Sequence, residues 1–408
     1  MSNPFDSNQG WDPVTAQDAP GNDQVSETTS KSWFQRIREA LGGILTGLAL
    51  LLGAVILLFV NEGRAVKTAN ALKEGAGLVV EASASKADPA LDGKLIHVAG
   101  RLTVTAPPRD SDFDLSAPGL RLERKVEMFQ WREKSSTRTE KHVGGREETV
   151  TTYSYVREWS ENDPRGDSFK QPQGHANPPL PFASKTFSAP ASLGAYQLAG
   201  EQTRGLGKSA PFAPEARQVQ GIASRLNRPA RLLDGKVVVA YDPTNPQVGD
   251  LRLSYELART DEASVVAAQK GAALLPYAAS NGRSIFLARD GVVPAAAMFE
   301  RAQEDNALIT WLLRGLGLIL CIVGFRLILK IATVLADVVP LFGNIVGFGV
   351  GIVAALLGGA LAALVSAMAW IYYRPLLGIG LLLVALACLA FVVMRARGAA
   401  PAPAGRAA

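Results

Sequence analysis

From Ala307 to Met394 the chain reads ALITWLLRGLGLILCIVGFRLILKIATVLADVVPLFGNIVGFGVGIVAALLGGALAALVSAMAWIYYRPLLGIGLLLVALACLAFVVM. It is almost continuously apolar, and its few charges cut it into pieces that can each cross a bilayer, which takes roughly 20 apolar residues. Ala307–Leu329 is one piece, closed by Arg326 and Lys330; Leu341–Trp370 is a second and Pro375–Met394 a third. Pro340 and the pair Arg374 and Pro375 supply the breaks. Far upstream, Leu41–Val60 forms another such run. The expected fold class is therefore an α+β membrane protein: four transmembrane helices, with a large β-rich extracytoplasmic domain between helices 1 and 2.

With about a quarter of 408 residues in lipid, the insert is long enough for one substantial domain or two small ones. The charged fraction of 19% lies below the usual value of about 25%, as four charge-excluding segments require. The net charge of +5 is modest and the two signs alternate through the insert, so no nucleic-acid surface is read. Both cysteines, Cys321 and Cys388, fall in predicted spans, which excludes a disulfide within the insert.

Residues 1–30 are polar and aperiodic, the composition of a disordered tail. Residues 31–60 read as a basic flank and an uncleaved anchor, because the polar head is too long for a signal peptide. Over 61–77 the apolar positions keep helical spacing, predicting a membrane-proximal helix. From 78 to 293 short β-type runs dominate: 94–105, 120–131, 149–159, 236–241, 250–256, 264–269 and 284–288. Gly144-Gly145 reads as a hairpin tip that lets Phe129 and Trp131 face Tyr153, Tyr155 and Trp159. The Pro-rich stretch 169–190 is read as an ordered loop, and the similar order of 106–131 and 242–255 leaves a duplicated unit open. A connecting helix over 294–306 leads into the second span at 307–329, followed by a cytoplasmic turn at 330–340, spans at 341–370 and 375–394, and a low-complexity tail at 395–408. Basic flanks place Lys31, Arg36, Arg38, Arg326, Lys330, Arg395 and Arg397 together, against Arg64, Lys67, Lys73, Arg301 and Arg374. Both termini are expected in the cytoplasm.

Gly343, Gly347, Gly351, Ala355, Gly359 and Ala363, extended by Ala367, recur every fourth position of the third span. Small residues so spaced let helix backbones approach closely, either within one chain or between subunits. Arg314 is a charge well inside a span. Such a residue marks an ion path or a buried partner, or snorkels to the interface beside Trp311. Asp337 is read as solvated in its turn. His97, His142 and His175 are scattered, with no metal-ligand spacing, and no acid/base pair stands out. Gly205-Leu206-Gly207-Lys208-Ser209 lacks the first glycine of a phosphate loop and is read as a surface loop. No cofactor, metal or catalytic residue is expected.

Six motifs carry a family resemblance. They are Asn61-Glu62-Gly63-Arg64-Ala65 with Lys67-Thr68, Val126-Glu127-Met128-Phe129-Gln130-Trp131, and Tyr153-Ser154-Tyr155 with Glu158-Trp159. The others are Gly174-His175 with Asn177-Pro178, Val248-Gly249-Asp250-Leu251-Arg252 with Ser254-Tyr255, and Tyr373-Arg374-Pro375. With its order of one span, large domain and three spans, the chain resembles the LUMA family, also called transmembrane protein 43. That resemblance implies an endoplasmic reticulum and inner nuclear membrane protein that self-associates, contacts emerin and lamins, and helps organise the envelope. The Ala, Gly and Arg usage points to a bacterial member, in the inner membrane with a periplasmic insert, for which emerin and lamins do not carry over. The expected function is a non-enzymatic, multi-pass membrane scaffold. Its partners would be the lipid bilayer, copies of itself in a homo-oligomer, and unidentified membrane or envelope proteins. A transporter or channel component, or an enzyme with an unrecognised site in the insert, are the rival classes.

Overall fold

The computed structural model describes residues 24–162 and 168–376, with 378–380 and 383. Three helices are long and apolar enough to cross a membrane. The α1 helix, Trp33–Leu78, has 46 residues and runs unbroken through both the predicted anchor and the predicted membrane-proximal helix. At 1.5 Å per residue it is about 69 Å long. Ser32 caps it, its hydroxyl accepting from the Gln35 amide. The α3 helix, Ala295–Ala336, likewise fuses the connecting helix, the second span and most of the predicted turn into 42 residues. The α4 helix, Pro340–Tyr373, starts on proline, which lacks the N–H that a first turn leaves unpaired. Of the predicted span at 375–394, most lies outside the described residues. Three candidate spans are thus present among the described residues, where four were expected.

The helices run antiparallel in sequence order, through close approaches at small residues. A Cβ at Gly47 would lie 2.6 Å from the Gly324 carbonyl, and one at Gly317 2.5 Å from Leu58. Lower α1 and α3 thus pack backbone to backbone, as helices do in lipid, where apolar contact alone gives no drive.

The β region contains two large sheets, beside two two-stranded ones formed by Arg109–Asp110 with Leu115–Ser116 and by Tyr277–Ala278 with Ser284–Ile285. The strands of the large sheets are β1 (Gln24–Lys31), β2 (Val80–Glu81), β3 (Leu95–Val104), β4 (Arg121–Lys141), β5 (Glu147–Ser160), β6 (Lys185–Ser188), β7 (Ala191–Leu193), β8 (Tyr196–Leu198) and β9 (Lys208–Phe212). After the α2 helix (Ala216–Leu226) follow β10 (Ala230–Leu233), β11 (Lys236–Val239), β12 (Leu251–Arg259), β13 (Glu262–Lys270), β14 (Ala273–Leu275) and β15 (Leu287–Asp290). In the first sheet the order is β1-β5-β4-β12-β11-β10, with β6 beside β4 and β9 beside β12. The two segments that share a sequence order end as its neighbouring strands β4 and β12, with Met128 opposite Leu251. Lys208 and Ser209, read as surface loop, sit in β9 opposite Arg259 and Ala258. In the second sheet β13, β14, β8, β7 and β3 close on themselves through the β13–β3 pairing. That ring surrounds Ile96, Val98, Tyr196, Val265 and Leu274. A further apolar cluster, Ala71, Leu72, Leu95, Met298 and Phe299, seats the ring on the ends of α1 and α3.

Within β4, Leu122, Arg124, Val126, Met128 and Gln130 face inward at period two. Past Trp131 the alternation stops, yet the strand goes on to Lys141, paired with β5 from Met128↔Ser160 to Lys141↔Glu147. Its other support is β1, which pairs with β5 over Gln24↔Ser154 to Lys31↔Glu147. Residues 24–31 therefore correct the expected disordered tail. Ser26 lies opposite Thr152 in the same ribbon whose tip is Gly144.

Candidate functional site

Where α1 leaves its apolar run, Asn61, Glu62, Gly63 and Arg64 meet α3 and α4. Glu62 is 1% exposed. Arg314 donates to both its oxygens, Nε at 2.6 Å and Nη2 at 2.9 Å, and Trp370 Nε1 donates at 2.9 Å. The guanidinium lies 4.7 Å from the Trp311 ring and 5.4 Å from Trp370. Arg314 thus has a buried carboxylate partner instead of snorkelling. Arg64 donates to Asn306 at 3.0 Å and to Thr310 at 2.9 Å, while Asn61 donates to the Thr310 carbonyl and Asn306 to that of Ala65. The partners of Glu62 and Arg64 come from other helices because side chains two apart on a helix do not face each other. Tyr373 covers Gly63 so closely that a Cβ there would lie 2.6 Å from its ring. One polar layer therefore fixes the register of α1, α3 and α4.

In the domain, the motif residues converge on one flank of β4. His175, 1% exposed, stacks on Tyr155 at 4.0 Å and meets Trp131 edge-on at 4.7 Å. Its Nδ1 donates to the Gln171 carbonyl at 2.8 Å. Asn177 continues the sheet where β12 ends: its Oδ1 accepts from the Trp131 amide at 2.8 Å and its Nδ2 donates to the Trp131 carbonyl at 3.0 Å. Pro178 rests on Gly249, whose φ of +96° belongs to glycine. Asp250 accepts from Arg228 and from the Gln247 amide. Glu127 accepts from Arg252 at 2.9 Å, and Arg252 lies over Trp159, which meets Phe129 at 5.4 Å. The 169–190 loop is thus pinned by its own motif residues, except that 185–188 form β6. The other two histidines are structural as well: His97 bridges Glu81 and the Val293 carbonyl, and His142 faces Glu148.

At the opposite end of the helices is a third cluster, which the sequence reading missed. Asp337 is fully buried, not solvated. Arg36 and Lys141 both bond to it, and Arg36 also donates to the Gly145 carbonyl at 2.8 Å and meets Glu147 at 3.2 Å. Trp33 donates to the Val334 carbonyl and packs against Gly145, and the Gly144 amide donates to the Val338 carbonyl. One signal was available: Asp337 is the single acidic residue between Ala307 and Met394.

The small-residue row divides. Gly343 lies on Asp337 and Gly347 on Thr333, so these two pack within the chain. Then the row winds off, and Ala354, Gly358, Ala362 and Ala369 take over the buried face, Gly358 with its Cβ position 2.8 Å from Ile322. Gly351 and Gly359 have nothing within 4 Å, and Ala355, Ala363 and Ala367 are exposed. Arg374 ends α4, its amide bonded to the Trp370 carbonyl, and Pro375 follows.

The family model described as Transmembrane protein 43 matches residues 128–375, which hold the Trp131, Trp159, His175, Asn177, Asp250, Arg314 and Arg374 positions just described. The chain belongs to the transmembrane protein 43 family. Transmembrane protein 43 of Homo sapiens is 30% identical over 392 residues, 92% of this chain and 94% of its own. That of Rattus norvegicus is 30% identical over 86% of this chain and 90% of its own, and the Drosophila melanogaster homolog 29% identical over 83% and 91%. No solved structure matches. With its relatives named transmembrane proteins and three apolar helices of its own, this family member is an integral membrane protein.

Proposed function

We propose that this member of the transmembrane protein 43 family is a non-enzymatic membrane scaffold that self-associates through α4 and holds its β domain rigidly for partner proteins. The observation that carries the reading is the outward row Gly351, Ala355, Gly359 and Ala363, which neither α1 nor α3 covers. In lipid, a row of small side chains lets a second helix approach to backbone contact. The polar layers at both ends of the helices support it, because they tie the domain and its hairpin to the bundle at two separated points. Partners gathered by the domain would then be gathered at fixed orientation. Crosslinking in native membranes is the test. Gly351→Leu combined with Gly359→Leu should convert crosslinked oligomers to monomers whose domain still resists protease. Oligomers that persist at normal abundance would sink the reading.

A further inference from the structure

Near the Asp337 end, α3, α4 and the hairpin tip enclose a cavity of about 530 Å³. Arg326 and Lys330 line it, four residues apart and hence on one face of α3. Both are exposed, and among the described residues no carboxylate lines the cavity. Lys141 reaches in from the hairpin but is already bonded to Asp337. Two neutral donors complete the polar wall, the Thr333 hydroxyl and the Asn344 amide, while Val323, Leu327 and Val350 form an apolar one. Glycines at 343 and 347 keep the floor low.

Arg326 stands ten residues before the end of α3, about 15 Å along the helix, only two residues past the Gly324 contact with Gly47. An uncompensated cation at that depth is costly, and snorkelling relieves it only for a side chain close to the surface. The cavity supplies what an anion with an apolar tail requires. A guanidinium fork and an ammonium suit phosphate oxygens, the amide and hydroxyl add donors, and the aliphatic wall suits an acyl chain. Basic pockets between membrane helices hold anionic headgroups for the same reason.

We propose that this cavity binds the phosphate of an anionic phospholipid, with Arg326 and Lys330 on the headgroup and an acyl chain along Val323, Leu327 and Val350. The proposal does not depend on self-association. The test titrates the purified full chain with phosphatidylglycerol, phosphatidylcholine or inorganic phosphate and reads bound species by native mass spectrometry. Phosphatidylglycerol should bind at least about tenfold tighter than phosphatidylcholine. Arg326→Gln with Lys330→Gln should abolish that preference, and Arg38→Gln with Lys73→Gln, outside the cavity, should keep it. Equal binding of the two lipids, or a preference that survives the Arg326 and Lys330 changes, would overturn the site. Displacement by millimolar inorganic phosphate would overturn the lipid assignment. Should the double variant misfold, a headgroup-photoreactive phosphatidylglycerol on the unaltered chain decides: labelling within 326–344 supports the site, and labelling elsewhere refutes it.

Discussion

The Glu62–Arg314 pair shows what a buried charge demands of its surroundings. Removing two charges from water costs several kcal/mol per ion, and only near-complete bonding offsets it. Here both carboxylate oxygens are occupied and the guanidinium lies against two indoles. Arg314→Ala, leaving Glu62 bare, should lower stability in detergent by about 3–5 kcal/mol, read by thermal unfolding. Adding Glu62→Gln to that variant should recover part of the loss, since residues in one network are not additive. A strictly additive pair would mean that the two side chains do not meet. A third buried ion cluster sits in the domain core. Arg124, 2% exposed, donates to both Asp110 oxygens, to Asp112 and to the Ala183 carbonyl, while Tyr255 donates to Asp110. The hydrogen bond from Arg124 holds the Asp112 carboxyl below its ordinary range. A depressed folded pKa contributes stability above the unfolded value, lost as pH falls through the folded one. Acidification through the carboxylate range should therefore destabilise the domain, and Asp112→Asn should flatten part of that pH dependence. An unchanged profile would refute the Asp112 contribution.

For elements, a helix face is decided by its neighbours and not by composition alone. Small residues four apart drift about 40° per step around a helix, so no single straight seam can use all of Gly343 to Ala367. Gly358→Leu would drive a branched side chain into Ile322, where a Cβ alone already reaches 2.8 Å. It should lower abundance and expose the domain to protease, at an overpacking cost of about 1–3 kcal/mol. Gly351→Leu, facing open space, should leave the monomer's stability within about 0.5 kcal/mol. Equal damage from both would mean that α4 is rotated from the orientation described. The β1 strand allows a sharper check, because the Ser26 and Thr152 hydroxyls lie 3.1 Å apart. Ser26→Cys with Thr152→Cys should form an internal disulfide under mild oxidation, visible as a crosslinked peptide. Failure to crosslink in folded protein would remove β1 from the sheet.

At the scale of the whole molecule, the β4–β5 ribbon links the two ends of the helices. It starts in the domain sheet beside β12 and ends on Arg36, Trp33 and Asp337. Ser26 and Gly144 belong to this one ribbon, so cysteines placed at the two should react with an impermeant thiol reagent from the same side of the membrane. Labelling of Ser26 and Gly144 from opposite sides would show that the ribbon is not formed in the bilayer-embedded protein.

By itself the sequence determined the elements whose solvent imposes a local rule. Lipid tolerates only long apolar runs, so α1, α3 and α4 were legible. A half-buried strand must alternate, so the inward face of β4 up to Gln130 was legible, and the Gly144-Gly145 tip stood out because both glycines adopt positive φ. The motif residues were legible as a set. Their convergence on Trp131 and His175 was not, since the contacts join segments far apart in the chain. Only the tertiary structure decided that β4 runs on to Lys141, that Gln24–Lys31 is a strand, and that Asp337 and Arg314 are paired within the fold. The physical reason is common to these cases. A polar segment or a lone charge carries no periodicity of its own, and whether it ends in water, in a sheet or against an opposite charge depends on a partner that only the folded chain brings near.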